Sequence, residues 1–191
     1  MSPLAAPPAD LRRFPALRLT PISALYRIHR RDRSPWWFSH DGTGRFDLPA
    51  PRGTCYLAGS PLGAFVEVFR EIALVSRAVV DARRVSTLHP PLTVRLADCT
   101  RARSRAFGLT AEIHSTEEYD ATQRWAAAFA AAGFAGVRYL VRHDPSQRSA
   151  GVALFGSAGA AAWPVEATGP IDQALCDRAA RRFGIRVLPV G

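Results

Sequence analysis

Between Leu25 and Glu71 the chain reads LYRIHRRDRSPWWFSHDGTGRFDLPAPRGTCYLAGSPLGAFVEVFRE, and Arg27, Arg45, Tyr56 and Glu67 fall there on four separate candidate elements. An arginine grips a diphosphate with a bidentate fork, an aromatic face stacks on a flat heterocycle, and one carboxylate steadies a cation developing on a ribose. Together these are the groups needed to break the nicotinamide–ribose bond of NAD. Ordinary glycoside hydrolysis needs two carboxylates, because the leaving oxygen must be protonated while the opposite face of the sugar is attacked. The nicotinamide of NAD carries a formal positive charge and departs neutral. No general acid is then required, and the remaining work is positional and electrostatic. On this reading Glu67 and Arg27 form the catalytic pair, with Glu67 facing the oxocarbenium-like state. Arg45 joins Arg27 on the diphosphate, Tyr56 fixes the ring, and Arg142 adds to the phosphate grip.

Each of these residues also has a plainer role. An isolated arginine is usually a surface charge. A tyrosine inside an apolar strand is by default a core residue with a satisfied hydroxyl, and Glu67 by default pairs along its helix with Arg70. Trp36 and Trp37 suit a lid, internal packing or a partner surface. The five histidines form no HxxxH or HExxH pattern, which argues against a metal site. Ser60 in GSPLG lacks the GxSxG arrangement of a nucleophile and reads as a helix N-cap. Gly42-Thr43-Gly44-Arg45 lacks the lysine of a Walker loop, though its amides can still face a phosphate.

The ordered set of segments resembles the RES-domain family, the toxin half of a bacterial toxin–antitoxin pair. The matching pieces are LYRIH at 25–29, GRFD at 44–47, CYLAGSPLGAFVEV at 55–68, RLADCT at 95–100, TQRWA at 122–126 and GVRYLVRHD at 136–144. In order and spacing they cover roughly residues 22–160. The resemblance implies a compact α+β domain similar to the ADP-ribosyltransferase fold, NAD as substrate with no permanently bound cofactor, and a helix-turn-helix antitoxin of the Xre type as partner. It implies degradation of NAD by hydrolysis or phosphorolysis, or transfer of ADP-ribose to a protein. Carried over by motif, the site is Arg27, Arg45, Tyr56 and Glu67. One departure stands out. The family's later motif reads Y-x-S-R, whereas here the run is Tyr139-Leu140-Val141-Arg142. Either Ser146 or Ser149 replaces the missing hydroxyl or the activity is altered, and Val141→Ser is expected to raise turnover while leaving the fold unaffected.

At 191 residues the chain is long enough for one well-buried core and short for two. Residues 1–20 read as a disordered Ala/Pro-rich tail without the features of a secretory signal, and residues 21–191 as one NAD-binding domain. No apolar run approaches a membrane span, and Cys55, Cys99 and Cys176 lack disulfide or metal-ligand spacing, which places the chain in the reducing cytoplasm. The formal charge is +9, yet every basic residue is arginine and the chain has no lysine or asparagine, which points to genome base composition. None of the arginine clusters is interleaved with aromatics, which argues against direct nucleic-acid binding, and a basic cleft would draw in a dianion or an acidic partner. A catalytically inactive basic binding module is the reading from a different class. Homo-oligomerisation is left open.

The elements that must position these side chains follow from pattern. Strands are expected at 22–29, 53–58, 77–82, 84–88, 92–96, 136–142, 151–155 and 185–188. Ser60-Pro61 opens a helix whose apolar positions include Leu62, Phe65, Val66, Phe69 and Ala73, with Glu67 at the edge of that face. Ser115-Thr116-Glu117-Glu118 reads as a capping box before an alanine-rich core helix stopped by Gly133, and 171–183 as a last helix. Residues 30–52 read as a long functional loop or lid. Strands outnumber helices and come in runs, so the class is α+β around a bent, largely antiparallel sheet.

Overall fold

Hydrogen-bond register divides the framework into two blocks of strands joined at one point. The computed structural model describes residues 4–69 and 73–188. In chain order, β1 (Ala16–Leu19), β2 (Leu25–Arg30), the two-residue β3 (Trp37–Phe38) and β4 (Arg52–Ala58) lead into helix α1 (Pro61–Phe69). Then come β5 (Leu74–Ser76), α2 (Arg77–Asp81), β6 (Arg83–Leu88), β7 (Val94–Asp98), a 3-10 turn at Ala102–Phe107, α3 (Glu112–Ser115) and α4 (Tyr119–Ala131). The chain ends with β8 (Gly136–Leu140), β9 (Ala150–Ser157), β10 (Gly159–Ala160), β11 (Val165–Gly169), α5 (Gln173–Phe183) and β12 (Arg186–Leu188).

One eight-stranded sheet runs β1-β7-β8-β9-β4-β2-β6-β11, antiparallel except between β7 and β8. β4 pairs with β9 from Arg52↔Ser157 to Ala58↔Gly151, and β2 pairs with β6 from Leu25↔Leu88 to Arg30↔Arg83. Between β2 and β4 the paired register among the described residues is Tyr26↔Ala58 alone. Beyond that pair the two strands part, leaving a gap in the middle of the sheet. Helix α1 packs on both strands and so straddles the split. Its start is fixed locally, because the Ser60 hydroxyl accepts the Gly63 amide at 3.0 Å and Pro61 needs no partner for an absent N–H.

Three apolar clusters hold this frame. One gathers α4 and the N-terminal segment around Phe14, whose ring lies 4.7 Å from Phe129 and 5.1 Å from Phe107. A second joins α1, α5 and one face of β2 through Ile28, Phe65, Phe69 and Leu175. The third fills the opposite face of the sheet with Trp36, Phe38, Leu57 and Leu88. Alternation along β4 therefore sends Cys55 and Leu57 to one face and Tyr56 to the other.

Three expectations change, and one open alternative, for Trp36, is decided. Residues 4–19, read as a tail, are docked: Leu4, Leu11 and Phe14 are buried, β1 pairs with β7, and the Trp125 indole donates to the Ala5 carbonyl at 2.8 Å. Three irregularly spaced anchors carry no period, so composition hid them. Residues 77–81 are helical because Ser76 caps the turn, accepting from Val79, and the turn buries Val80 while exposing Val79. The capping box does not form. Thr116 accepts the Glu118 amide at 3.0 Å and Glu117 turns to Arg142, so α4 starts at Tyr119. Within the loop at 30–52, Trp36 is fully buried against Trp163 and donates to the Pro164 carbonyl at 2.9 Å, which makes it packing and not a lid. Gly133, with φ +81°, does end α4.

Candidate active site

The gap between β2 and β4 widens into a cleft of about 760 Å³. Its walls are Arg27 and Ile28 of β2, Tyr56 and Leu57 of β4, Ala64 and Glu67 of α1, and segments at 43–47 and 117–119. Arg27, Arg45, Tyr56, Glu67 and Arg142 all line it. Five residues from five parts of the sequence thus line one cavity of ligand size, although Arg27 sends its guanidinium to Pro35, Trp37 and Cys55 on the face of the sheet opposite Tyr56.

Tyr56 and the turn at 44–47 form one hydrogen-bonded unit. The Tyr56 hydroxyl donates to Asp47 Oδ1 at 2.8 Å and accepts the Phe46 amide at 2.8 Å. Asp47 Oδ2 accepts the Gly44 amide at 2.9 Å, and the Asp47 amide donates back to the Gly44 carbonyl at 3.1 Å. Both functions of the phenol are used internally, so what Tyr56 offers the cleft is its ring. Burial and then the Asp47 charge push its phenol well above the ordinary tyrosine value, and burial raises the Asp47 carboxyl.

Arg45 sits inside that turn and is held from the other side by α4. Thr122 donates to the Arg45 carbonyl, Gln123 donates to the carbonyls of Gly42 and Gly44 at 2.9 Å each, and the Arg45 guanidinium donates to the His114 carbonyl. Burial lowers the Arg45 pKa, yet an arginine remains charged. Burial and the Arg45 charge bring His114 down to about 4, so its ring is neutral and its Nδ1 accepts the Leu140 amide at 3.3 Å.

Arg27 lies on the face of the sheet that carries Cys55. One guanidinium nitrogen donates to the carbonyls of Pro35 at 2.7 Å and Trp37 at 3.0 Å and lies 3.1 Å from the Cys55 sulfur. It is a fixed positive charge at the cleft and an anchor for the 35–37 loop. Glu67 is half-buried on α1. Arg70, the partner in the pairing considered above, lies outside the described residues. Arg142 donates to Glu117.

Sequence reading missed the second half of this site. Asp47 stands in the GRFD segment, Tyr139 in GVRYLVRHD and Glu117 inside the Ser115–Glu118 capping-box pattern, and none of the three carries a site signal of its own. The cleft carries three arginines, Arg27, Arg45 and Arg142, against three carboxylates, Asp47, Glu67 and Glu117. The expected basic cleft is therefore balanced in formal charge. Val141 does not reach the cleft: it is 1% exposed in the cluster with Ile28 and Phe65. Ser146 and Ser149 bond to Asp144 and line a separate cavity with Ser60, Arg148 and Arg182, so among the described residues neither hydroxyl faces the cleft.

A family model for the RES domain matches residues 24–177. The chain belongs to the RES-domain family. This RES domain also resembles a solved structure, the toxin–antitoxin complex MbcT–MbcA of M. tuberculosis, with a TM-score of 0.61 and 18% sequence identity over 83% of this chain and 88% of that one. No curated protein matches it. The α+β, ADP-ribosyltransferase-like class expected from the motifs is the class found, a single domain with one large sheet and flanking helices. No helix among the described residues is long and apolar enough to cross a membrane.

Proposed function

We propose that this RES domain consumes NAD by breaking the bond between nicotinamide and ribose. The observation that carries the reading is the convergence of Arg45, Arg142, the Tyr56 ring and Glu67 on one split-sheet cleft. Arg45 and Arg142 match a diphosphate, the Tyr56 face matches a flat ring, and Arg27 adds a fixed positive charge near the phosphates. The C–N bond breaks with its electron pair passing to the nicotinamide nitrogen, which departs neutral. The Glu67 carboxylate stabilises the cation left on the ribose. Water or inorganic phosphate then adds at that carbon and gives up a proton to solvent. In the test, purified protein releases nicotinamide from NAD, and Glu67→Gln lowers turnover at least about a hundredfold with an unchanged circular dichroism spectrum. Unaltered turnover in folded Glu67→Gln would reject this chemistry. Dependence of the rate on inorganic phosphate distinguishes phosphorolysis from hydrolysis, and labelling of a protein by NAD would favour ADP-ribose transfer.

The same reading makes the chain a cytoplasmic toxin held in check by an Xre-type antitoxin. It rests on family membership and on the likeness to a protein solved in a toxin–antitoxin complex. Expression alone in bacteria is expected to deplete their NAD pool. Good growth with intact NAD, from a protein that is folded, would count against it.

A further inference from the structure

Asp47 is a buried carboxylate, 3% exposed, at a position where an unpaired charge would be costly. Its two oxygens are divided between two elements. Oδ1 accepts the Tyr56 hydroxyl from β4, and Oδ2 accepts the Gly44 amide from the loop. Arg45 lies between Gly44 and Asp47 in sequence, and the Phe46 amide is committed to the same Tyr56 oxygen. There is no slack in this unit. A Cβ on Gly44 would strike Asp47 Oδ1 and the Tyr56 hydroxyl at distances real Cβ atoms do not reach. Gly44 has an ordinary backbone conformation, so it is the closeness of Tyr56 that requires glycine.

We propose that Asp47 is a positioning residue, whose carboxylate clamps the 44–47 turn to Tyr56 and so sets the Arg45 guanidinium and the Tyr56 ring at a fixed spacing along the cleft. This deepens, and rests on, the assignment of Arg45 to the diphosphate and Tyr56 to a ring of NAD. Two groups that must grip different parts of one substrate gain from a shared anchor, because their relative freedom is removed before binding. Asp47 itself has both oxygens occupied and need not touch substrate. Burial raises its carboxyl, in keeping with a charge held there for position at some cost to stability.

An asparagine cannot replace it. With its NH2 toward Gly44 it sets donor against donor, and with its oxygen toward Gly44 its NH2 faces the Tyr56 oxygen and the Tyr56 proton loses its acceptor, so either way one arm of the clamp is lost. Asp47→Asn is expected to raise KM for NAD about tenfold or more while kcat stays within about threefold. Tyr56→Phe keeps the ring, removes the hydroxyl, and is expected to move KM the same way. The double variant should be little worse than the worse single one, because both cut the same unit. Amide exchange followed by NMR gives a readout independent of chemistry: in Asp47→Asn the Gly44 and Phe46 amides should exchange about tenfold faster, and in Tyr56→Phe the Phe46 amide should. Unchanged exchange at both amides in folded Asp47→Asn overturns the clamp, as does a fall in kcat with KM unmoved. If wild-type protein releases no nicotinamide, the proposed function fails instead, and the exchange rates still decide whether Asp47 holds the turn. If Asp47→Asn does not fold, Tyr56→Phe decides the matter by the same two measurements.

Discussion

Arg142, two residues past β8, donates to Glu117, two residues before α4, and both side chains line the cleft. Glu117 is 79% exposed, so the pair adds little to stability. On the proposed assignment of Arg142 to a diphosphate, the Glu117 carboxylate sits where a phosphate oxygen would bond. Displacing Glu117 would leave the cleft with an excess of positive charge, matched to the substrate.

Glu117→Gln should therefore tighten binding. We expect a lower dissociation constant for ADP-ribose by calorimetry, by about threefold, with a melting temperature within about a degree of wild type. Arg142→Ala should weaken binding about tenfold or more. Weaker binding in Glu117→Gln would mean that the ion pair builds the site and does not occupy it.

The strands β2, β4, β6, β8 and β9 and the helices α1 and α5 were legible in the sequence because each sits in a segment with its own local signal. Tyr56 lies in an alternating strand, and Glu67 follows a Ser-Pro helix start whose cap is observed. The split between β2 and β4 was not legible, because which strands part is a matter of register between distant segments. Asp47 was hidden for the same reason: its meaning lies in a hydroxyl nine residues away on another element. Glu117 was hidden inside Ser-Thr-Glu-Glu, a good local cap signal that is outcompeted by Arg142 at a distance of 25 residues.

Gly44→Ala tests the closeness of the Tyr56 ring. The added methyl must displace Asp47, Tyr56 or the turn, a cost of about 1–3 kcal/mol in urea or thermal unfolding. Combining it with Tyr56→Phe removes one of the atoms it strikes. The double variant should then lose less stability than the two single losses added together. Strict additivity would show that the methyl is accommodated elsewhere.

Val141→Ser is expected to damage the fold and not to restore a substrate contact. The side chain is almost fully buried among apolar residues and lies outside the cleft. A serine there loses apolar burial and places a hydroxyl in an apolar cluster, costing about 1–3 kcal/mol and several degrees of melting temperature. A variant of unchanged stability with faster nicotinamide release would return the position to the site.

His114 sets a pH limit on the same region. Its ring is held neutral, with a pKa lowered from the ordinary 6.5 to about 4, first by burial and then by the Arg45 charge. The unfolded chain takes up this proton near 6.5, whereas the folded chain resists it until about 4. Between those values the unfolded state binds more protons. The stability contributed by the neutral ring is thus full above pH 6.5 and is lost as pH falls toward 4, by about 3 kcal/mol in total. Protonation would also turn Nδ1 from an acceptor into a donor facing the Leu140 amide, and loosen the segment whose carbonyl receives Arg45. His114→Asn keeps an acceptor near Nδ1 and cannot titrate. Unfolding free energies measured from pH 7 to pH 4 should fall less steeply in His114→Asn than in wild type, with KM for NAD following the same order. Parallel slopes in the two proteins would assign the acid limb to other groups and leave His114 as a packing residue.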